Sequence, residues 1–165
     1  MIYLWLFLGI LVLLFGWTAL VGAPYVPSRK QDVNQALTTL YKISRKDTLV
    51  DLGSGGGLVL REAAKLGANA VVYEINPLLF FISKFLSSKN SRIKIHFSNF
   101  WRAKLPDETT VVYIFAVGRD MKKLKKWLRT ESSRRNKTIY LISLGFEING
   151  MRPIKTMGPH YLYKF

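Results

Sequence analysis

The chain contains no cysteine and only two histidines, His96 and His160, far apart in sequence. Disulfides, a thiolate nucleophile and cysteine-held zinc or iron–sulfur centres are thereby excluded, and a metal site is not expected. Acidic residues are scarce as well, 10 Asp and Glu against 25 Lys and Arg, for a formal charge of +15. Such an excess points to an anionic partner, either a membrane surface or nucleic acid. Charge of either sign is missing altogether from residues 1–23, where Ile2 to Val21 is almost entirely Leu, Ile, Val, Phe, Trp and Gly. About 20 apolar residues at 1.5 Å each match a hydrocarbon core of about 30 Å. No basic residue precedes the run, as a cleaved signal peptide would require, and Pro24 would follow any cut after Val21-Gly22-Ala23. A buried core helix would present a polar face, which the run does not have. An uncleaved single span is therefore expected. Arg29, Lys30, Lys42, Arg45 and Lys46 lie beyond it, so the positive-inside rule places the remainder of the chain in the cytoplasm.

The organisation that follows is an anchor at 1–23, a linker and helix at 24–46, and a domain at 47–165. Pro24 and Pro27 make the linker extended and stiff. "QDVNQALTTLYKI" carries Val33, Leu37, Leu40 and Tyr41 at helical spacing. Strands and helices then alternate. "TLVDLG" reads as a strand and "GLVLREAAKLG" as a helix closed by Gly67. "AVVYEI" is followed by "PLLFFISKFLSS", a helix opened by Pro77. "RIKIHFS", "TVVYIFAV" and "TIYLISL" read as further strands, the second apolar enough to be central. "RDMKKLKKWLRTESS" is a basic amphipathic helix, and the tail makes two strands turning at Gly158-Pro159. Alternation of this kind predicts an α/β sheet, mostly parallel with right-handed crossovers and closed by a C-terminal hairpin.

The chemistry centres on "LVDLGSGGGLVL". A triphosphate-binding loop needs Lys and Ser/Thr after its last glycine, but Leu58 and Val59 follow Gly57. The dinucleotide pattern Gly-x-Gly-x-x-Gly fails too, meeting Leu58 or Leu60 at its sixth position. The pattern that fits is Asp-x-Gly-x-Gly-x-Gly, filled by Asp51, Gly53, Gly55 and Gly57. It resembles motif I of the Rossmann-like S-adenosylmethionine (SAM) methyltransferases. Glycines allow close backbone approach, and an acid at the strand end suits a cationic amino or sulfonium group where phosphate would be repelled. Glu74 ends the next strand about twenty residues on, where a carboxylate can accept ribose hydroxyls. Asn99 in "SNFW" stands where such enzymes meet the adenine amine, with Phe100 placed to flank the ring.

A narrower resemblance covers most of the chain. The apolar start, "GAPYVPS", "LVDLGSGGGLVL", "YEINP" and "NFW" are similar to the small membrane-anchored lysine N-methyltransferases that modify the adenine nucleotide translocase and the c-ring protein of the ATP synthase, and to their bacterial relatives. That resemblance implies a seven-stranded Rossmann-like methyltransferase sheet and SAM as cofactor, held by Asp51, Gly53, Ser54, Gly55, Gly57, Glu74, Asn76, Asn99 and Phe100. It also implies transfer to a lysine amine, with Tyr25, Asn99 and Trp101 as candidates for the acceptor channel and no side chain obliged to act as base. The family usually has an acid where Gly56 stands and Asp where Asn99 stands. The expected partners are the membrane, through the apolar helix and the basic surface of Arg119 to Lys137, and a protein substrate at or in it. Single-stranded nucleic acid is disfavoured, because Trp127 alone within that basic stretch could stack on a base. The oligomeric state stays open. Other acceptors (lipid or quinone headgroups, RNA) and a non-catalytic cofactor-binding module are the competing readings.

Overall fold

The computed structural model describes residues 1–21, 28–53, 55–115 and 117–165, and within the first helix the side chains of 1–9, 12, 13 and 16. Helix α1 (Ile2–Val21) is 20 residues long and carries no charged side chain. Among the described residues no helix is long and apolar enough to cross a membrane, several side chains of α1 standing outside that set.

Helix α2 (Lys30–Gln35) widens into a π-helical turn at Ala36–Leu40. Its Val33, Ala36, Leu37 and Leu40 are buried, the face that the helical spacing implied. Asp47 then ties this segment to the sheet. Its Oδ1 accepts from the Tyr41 hydroxyl (2.9 Å) and Thr110 Oγ1 (2.7 Å), and its Oδ2 from the Ser44 amide and hydroxyl (both 2.8 Å).

Strands β1 (Thr48–Asp51), β2 (Asn69–Glu74), β3 (Ile93–Phe97), β4 (Val111–Phe115), β5 (Tyr140–Leu144), β6 (Lys155–Met157) and β7 (His160–Lys164) form one sheet. Its order is β3-β2-β1-β4-β5-β7-β6. The first five strands are parallel, while β7 runs antiparallel to both β5 and β6. The hairpin turns at Gly158, which adopts φ +52°. The apolar strand β4 lies at the centre of the sheet, as its composition required: a strand covered on both faces leaves no position for polar side chains.

Helices α3 (Leu58–Lys65), α4 (Pro77–Ser87) and α5 (Met121–Arg135) make the crossovers. Val59, Leu60 and Ala63 of α3 share one core with Leu37, Leu49, Val72, Tyr113 and Ile142. Met121, Leu124 and Leu128 of α5 bury against the other face with Val50, Val112 and Leu141. Full burial of each such leucine is worth about 1.5–3 kcal/mol. Asn136 ends α5 in the left-handed conformation (φ +50°), and the amides of Asn136 and Lys137 close onto Ser133 and Ser132.

The basic run Arg119 to Lys137 is not uniformly a surface. Arg135 is buried and donates to the carbonyls of Pro106 and Thr109 (both 2.9 Å), while Arg134 pairs with Glu131 (2.9 Å) and Asp107 (3.2 Å). Lys122, Lys123, Lys126 and Arg129 are not buried. Cations near the free carbonyls of a helix end are favourable, and these two arginines also tie the end of α5 to the loop at 105–109.

Candidate cofactor and active site

The chain winds outward from β1 through β2 to β3, then returns to β4 on the other side of β1. A crevice opens at such a switch point, beyond the carboxyl ends of the strands. Asp51 closes β1 there, almost fully buried at 2% exposure. Its Oδ2 has no hydrogen-bond partner among the described residues. Burial, and then the neighbouring Glu74 carboxylate, push the Asp51 carboxyl well above the usual carboxylate range.

The glycines divide by task. Gly53 takes φ +128° and is exposed, and a Cβ there would meet nothing within 4 Å among the described residues, so the turn faces open space. Gly57 takes φ +73° and lies hard against α4: a Cβ would come within 2.5 Å of Ser83 Oγ and 3.0 Å of Arg61 Nη1. The first glycine can therefore admit a ligand, and the third exists for helix packing. Arg61 also donates to the Gly56 carbonyl (2.7 Å). Ser54, expected among the cofactor contacts, lies outside the described residues, as does Tyr25.

Glu74 ends β2 and is buried. Its Oε2 accepts from the Gly55 amide (3.2 Å) and its Oε1 from the Asn76 amide (2.7 Å), joining the motif I loop to the start of α4. A carboxylate at the carboxyl end of the second strand stands where the hydroxyls of a ribose can reach it. Asn76 caps α4 through Oδ1, accepting from the Leu78 (2.9 Å) and Leu79 (3.2 Å) amides, while its buried Nδ2 has no partner among the described residues. Asn99 reaches the same edge because β3 pairs Phe97 with Glu74, and the Ser98 amide donates to the Glu74 carbonyl (2.9 Å). Its Oδ1 accepts from the Trp101 amide (3.0 Å), bending the chain into the turn Phe100–Arg102.

Phe100 and Trp101 lean toward α5. Their ring centroids are 4.4 Å apart and both rings meet Trp127 of α5, at 6.1 and 6.3 Å. The Lys123 ammonium sits 4.1 Å over the Trp101 ring. Both rings are thus engaged with α5, and the cation on Trp101 is the chain's own.

One pair had no sequence signal. Tyr113 is the β4 partner of Asp51, and its hydroxyl is hydrogen-bonded to His160 Nε2 at 2.9 Å, both side chains buried. Burial and then Asp51 push the Tyr113 hydroxyl up, and burial pushes His160 down. Residues 47 apart meet here, brought together by the pairing of β4 with β5 and of β5 with β7.

Residues 51–155 match the ANTKMT methyltransferase domain. The chain belongs to that family. It is 37% identical over 111 residues to the lysine N-methyltransferase of the ATP synthase c protein from Xenopus laevis, covering 66% of this chain and 48% of that protein. The human protein of the same name is 33% identical over 114 residues, covering 67% and 48%. The chain thus spans about half the length of the curated relatives it matches. Among solved structures, an RNA methyltransferase from Salinibacter ruber, determined with S-adenosyl-L-homocysteine, superposes with a TM-score of 0.72. That match covers 85% of this chain and 92% of the other at 24% identity, which establishes a shared fold. The family match shows that the motif I glycines belong to a methyltransferase domain of this kind.

Proposed function

We propose that this ANTKMT-family chain is a membrane-anchored SAM-dependent methyltransferase whose acceptor is a protein lysine at or in the membrane. The observation that carries the cofactor is Asp51, a buried carboxylate with one oxygen unpartnered among the described residues, beside an exposed glycine turn. An unpaired carboxylate in such a place is costly, and a cationic amino or sulfonium group would relieve it. The residues present fit SAM. Asp51 would balance its charge, the Gly53 turn would admit its amino-acid part, and Glu74 and the side-chain amide of Asn76 offer groups for its ribose. When bound, the cofactor supplies an electrophilic methyl on a positively charged sulfur.

The chain's part is to orient and to exclude water. A lysine with pKa about 10.4 must lose its proton to attack, at roughly 4–5 kcal/mol at neutral pH. A desolvated acceptor channel lowers that cost by disfavouring the ammonium. Holding the amine in line supplies much of the remaining acceleration. Asn99, at the same sheet edge as Glu74, is the described residue best placed to line that channel. The names of the relatives support lysine as acceptor, and the uncharged 20-residue helix α1 supports the anchor. With Arg29, Lys30, Lys42, Arg45 and Lys46 following it, the domain lies on the cytoplasmic side.

Tritiated SAM supplied to the full chain with membrane fractions tests the acceptor. Label recovered as methylated lysine is the expected result. Label confined to the lipid extract or to nucleic acid removes lysine as acceptor, and absence of both label and SAM binding leaves a non-catalytic module.

A further inference from the structure

Helix α4 is inside out. Its buried side consists of Leu79, Ser83 and Ser87, and the hydroxyls of both serines lack hydrogen-bond partners among the described residues. Its outer side carries Phe81, Ile82, Phe85 and Leu86, which are 64%, 38%, 80% and 51% exposed. Phe97 on the edge strand β3 adds another ring at 58% exposure, linked through Phe80, whose centroid is 5.5 Å from that of Phe97 and 5.3 Å from that of Phe81. Water favours the opposite arrangement, and a contiguous apolar patch on a domain of this size marks a contact surface.

The surrounding charge says what covers it. From residue 75 to residue 106 the sequence has no Asp or Glu, but it has Lys84, Lys89, Arg92, Lys94, Arg102 and Lys104. Lys84, Lys89, Arg92 and Lys94 are exposed, with the Lys84 ammonium 5.5 Å from the Phe80 centroid. Large apolar and aromatic side chains bordered by cations suit the interface of an anionic bilayer, where rings enter the acyl boundary and amines meet phosphate. We infer that the outer face of α4, with Phe97, seats in the interface of an anionic lipid bilayer. This rests on the anchoring reading and adds a second point of attachment. Phe97 pairs with Glu74 across β2 and β3, so seating this face holds the cofactor edge of the sheet at the membrane surface, where a membrane-borne lysine would arrive.

The absence of native cysteine permits single-site labelling. The full chain carrying Phe81→Cys, Phe85→Cys, Phe7→Cys or Glu108→Cys is labelled with a fluorophore and reconstituted into phosphatidylcholine vesicles with or without phosphatidylglycerol. Nitroxide-labelled lipid is then added as quencher. Quenching is expected at 81 and 85 but not at 108, with a loss when phosphatidylglycerol is omitted or when Lys84→Glu and Lys89→Glu are introduced together. Quenching at 7 with none at 81 and 85 overturns the inference while leaving the anchor intact. Quenching at 81 and 85 with none at 7 supports it and removes the anchor. Labels at 81 and 85 that are shielded from water but untouched by the lipid quencher also overturn it, because a second copy or a protein segment then covers the face.

Discussion

Asp51→Asn separates the stability of the domain from its capacity for cofactor. The carboxylate is 2% exposed, one oxygen lacks a partner among the described residues, and Glu74 stands nearby. Leaving such a group unsatisfied costs about 1–3 kcal/mol, and the asparagine keeps the shape while removing the charge. Because the folded carboxyl titrates above its unfolded value, the folded chain binds more protons between the two, and its stability falls as pH rises through that window. Above the window the asparagine variant should be the more stable protein by up to that amount. Removing one partner of a buried charge pair costs about 2–5 kcal/mol, so SAM affinity should fall about 30- to 5000-fold. In the parent, affinity should decline as pH falls through the raised Asp51 pKa, since the protonated carboxyl no longer attracts a cation. Thermal unfolding across pH and calorimetric titration with SAM measure both arms. A variant that binds SAM as tightly as the parent, or that is less stable at every pH, refutes the assignment of Asp51 as the cation's seat.

Gly57→Ala should destabilise the domain by about 1–3 kcal/mol, from a left-handed φ and overpacking against Ser83. Adding Ser83→Ala should recover part of the loss, and chemical denaturation of the single and double variants checks this. Asp47→Asn weakens four hydrogen bonds and should cost about 2–4 kcal/mol near neutrality. Burial alone would raise that carboxyl, but bonds from Thr110, Ser44 and Tyr41 hold it below its ordinary value. Its contribution is therefore complete above the unfolded pKa and lost as pH falls through the folded one, which acid unfolding curves of parent and variant should show. His160 is held neutral by burial, so below about pH 6.5 the unfolded chain takes up a proton that the folded chain refuses. Stability should decline as pH falls there, and His160→Gln should flatten that slope in melting curves recorded between neutral and mildly acidic pH.

Much of the domain was legible because its signals are local. A strand of "TVVYIFAV" or a helix with Met121, Leu124 and Leu128 in register is set by side-chain period and backbone preference. The order Asp51, glycines, Glu74, Asn99 follows from the same alternation, since each strand ends at the same edge of a parallel sheet. What local pattern could not decide is which neighbour each side chain meets. The ring of Trp101, a candidate wall for the acceptor, packs on Phe100 and Trp127 with Lys123 above it, neighbours that no local pattern announces. Arg134 and Arg135 count as surface charge until α5 packs beside the 105–109 loop and turns them to its carbonyls and carboxylates.

The amino-acid sequence by itself determined the α/β alternation, the glycine loop with its two acids, and an uncharged apolar helix at the start. These depend on backbone geometry and on residues close in the chain. Tertiary structure alone decided that Gly57 serves helix packing while Gly53 faces open space, and that Tyr113 meets His160. It alone turned the serines of α4 inward and its phenylalanines out. In "PLLFFISKFLSS" apolar residues occur on every side of the helix, so the period does not choose a buried face. The close approach of Ser83 to Gly57 does, because only a small side chain fits there.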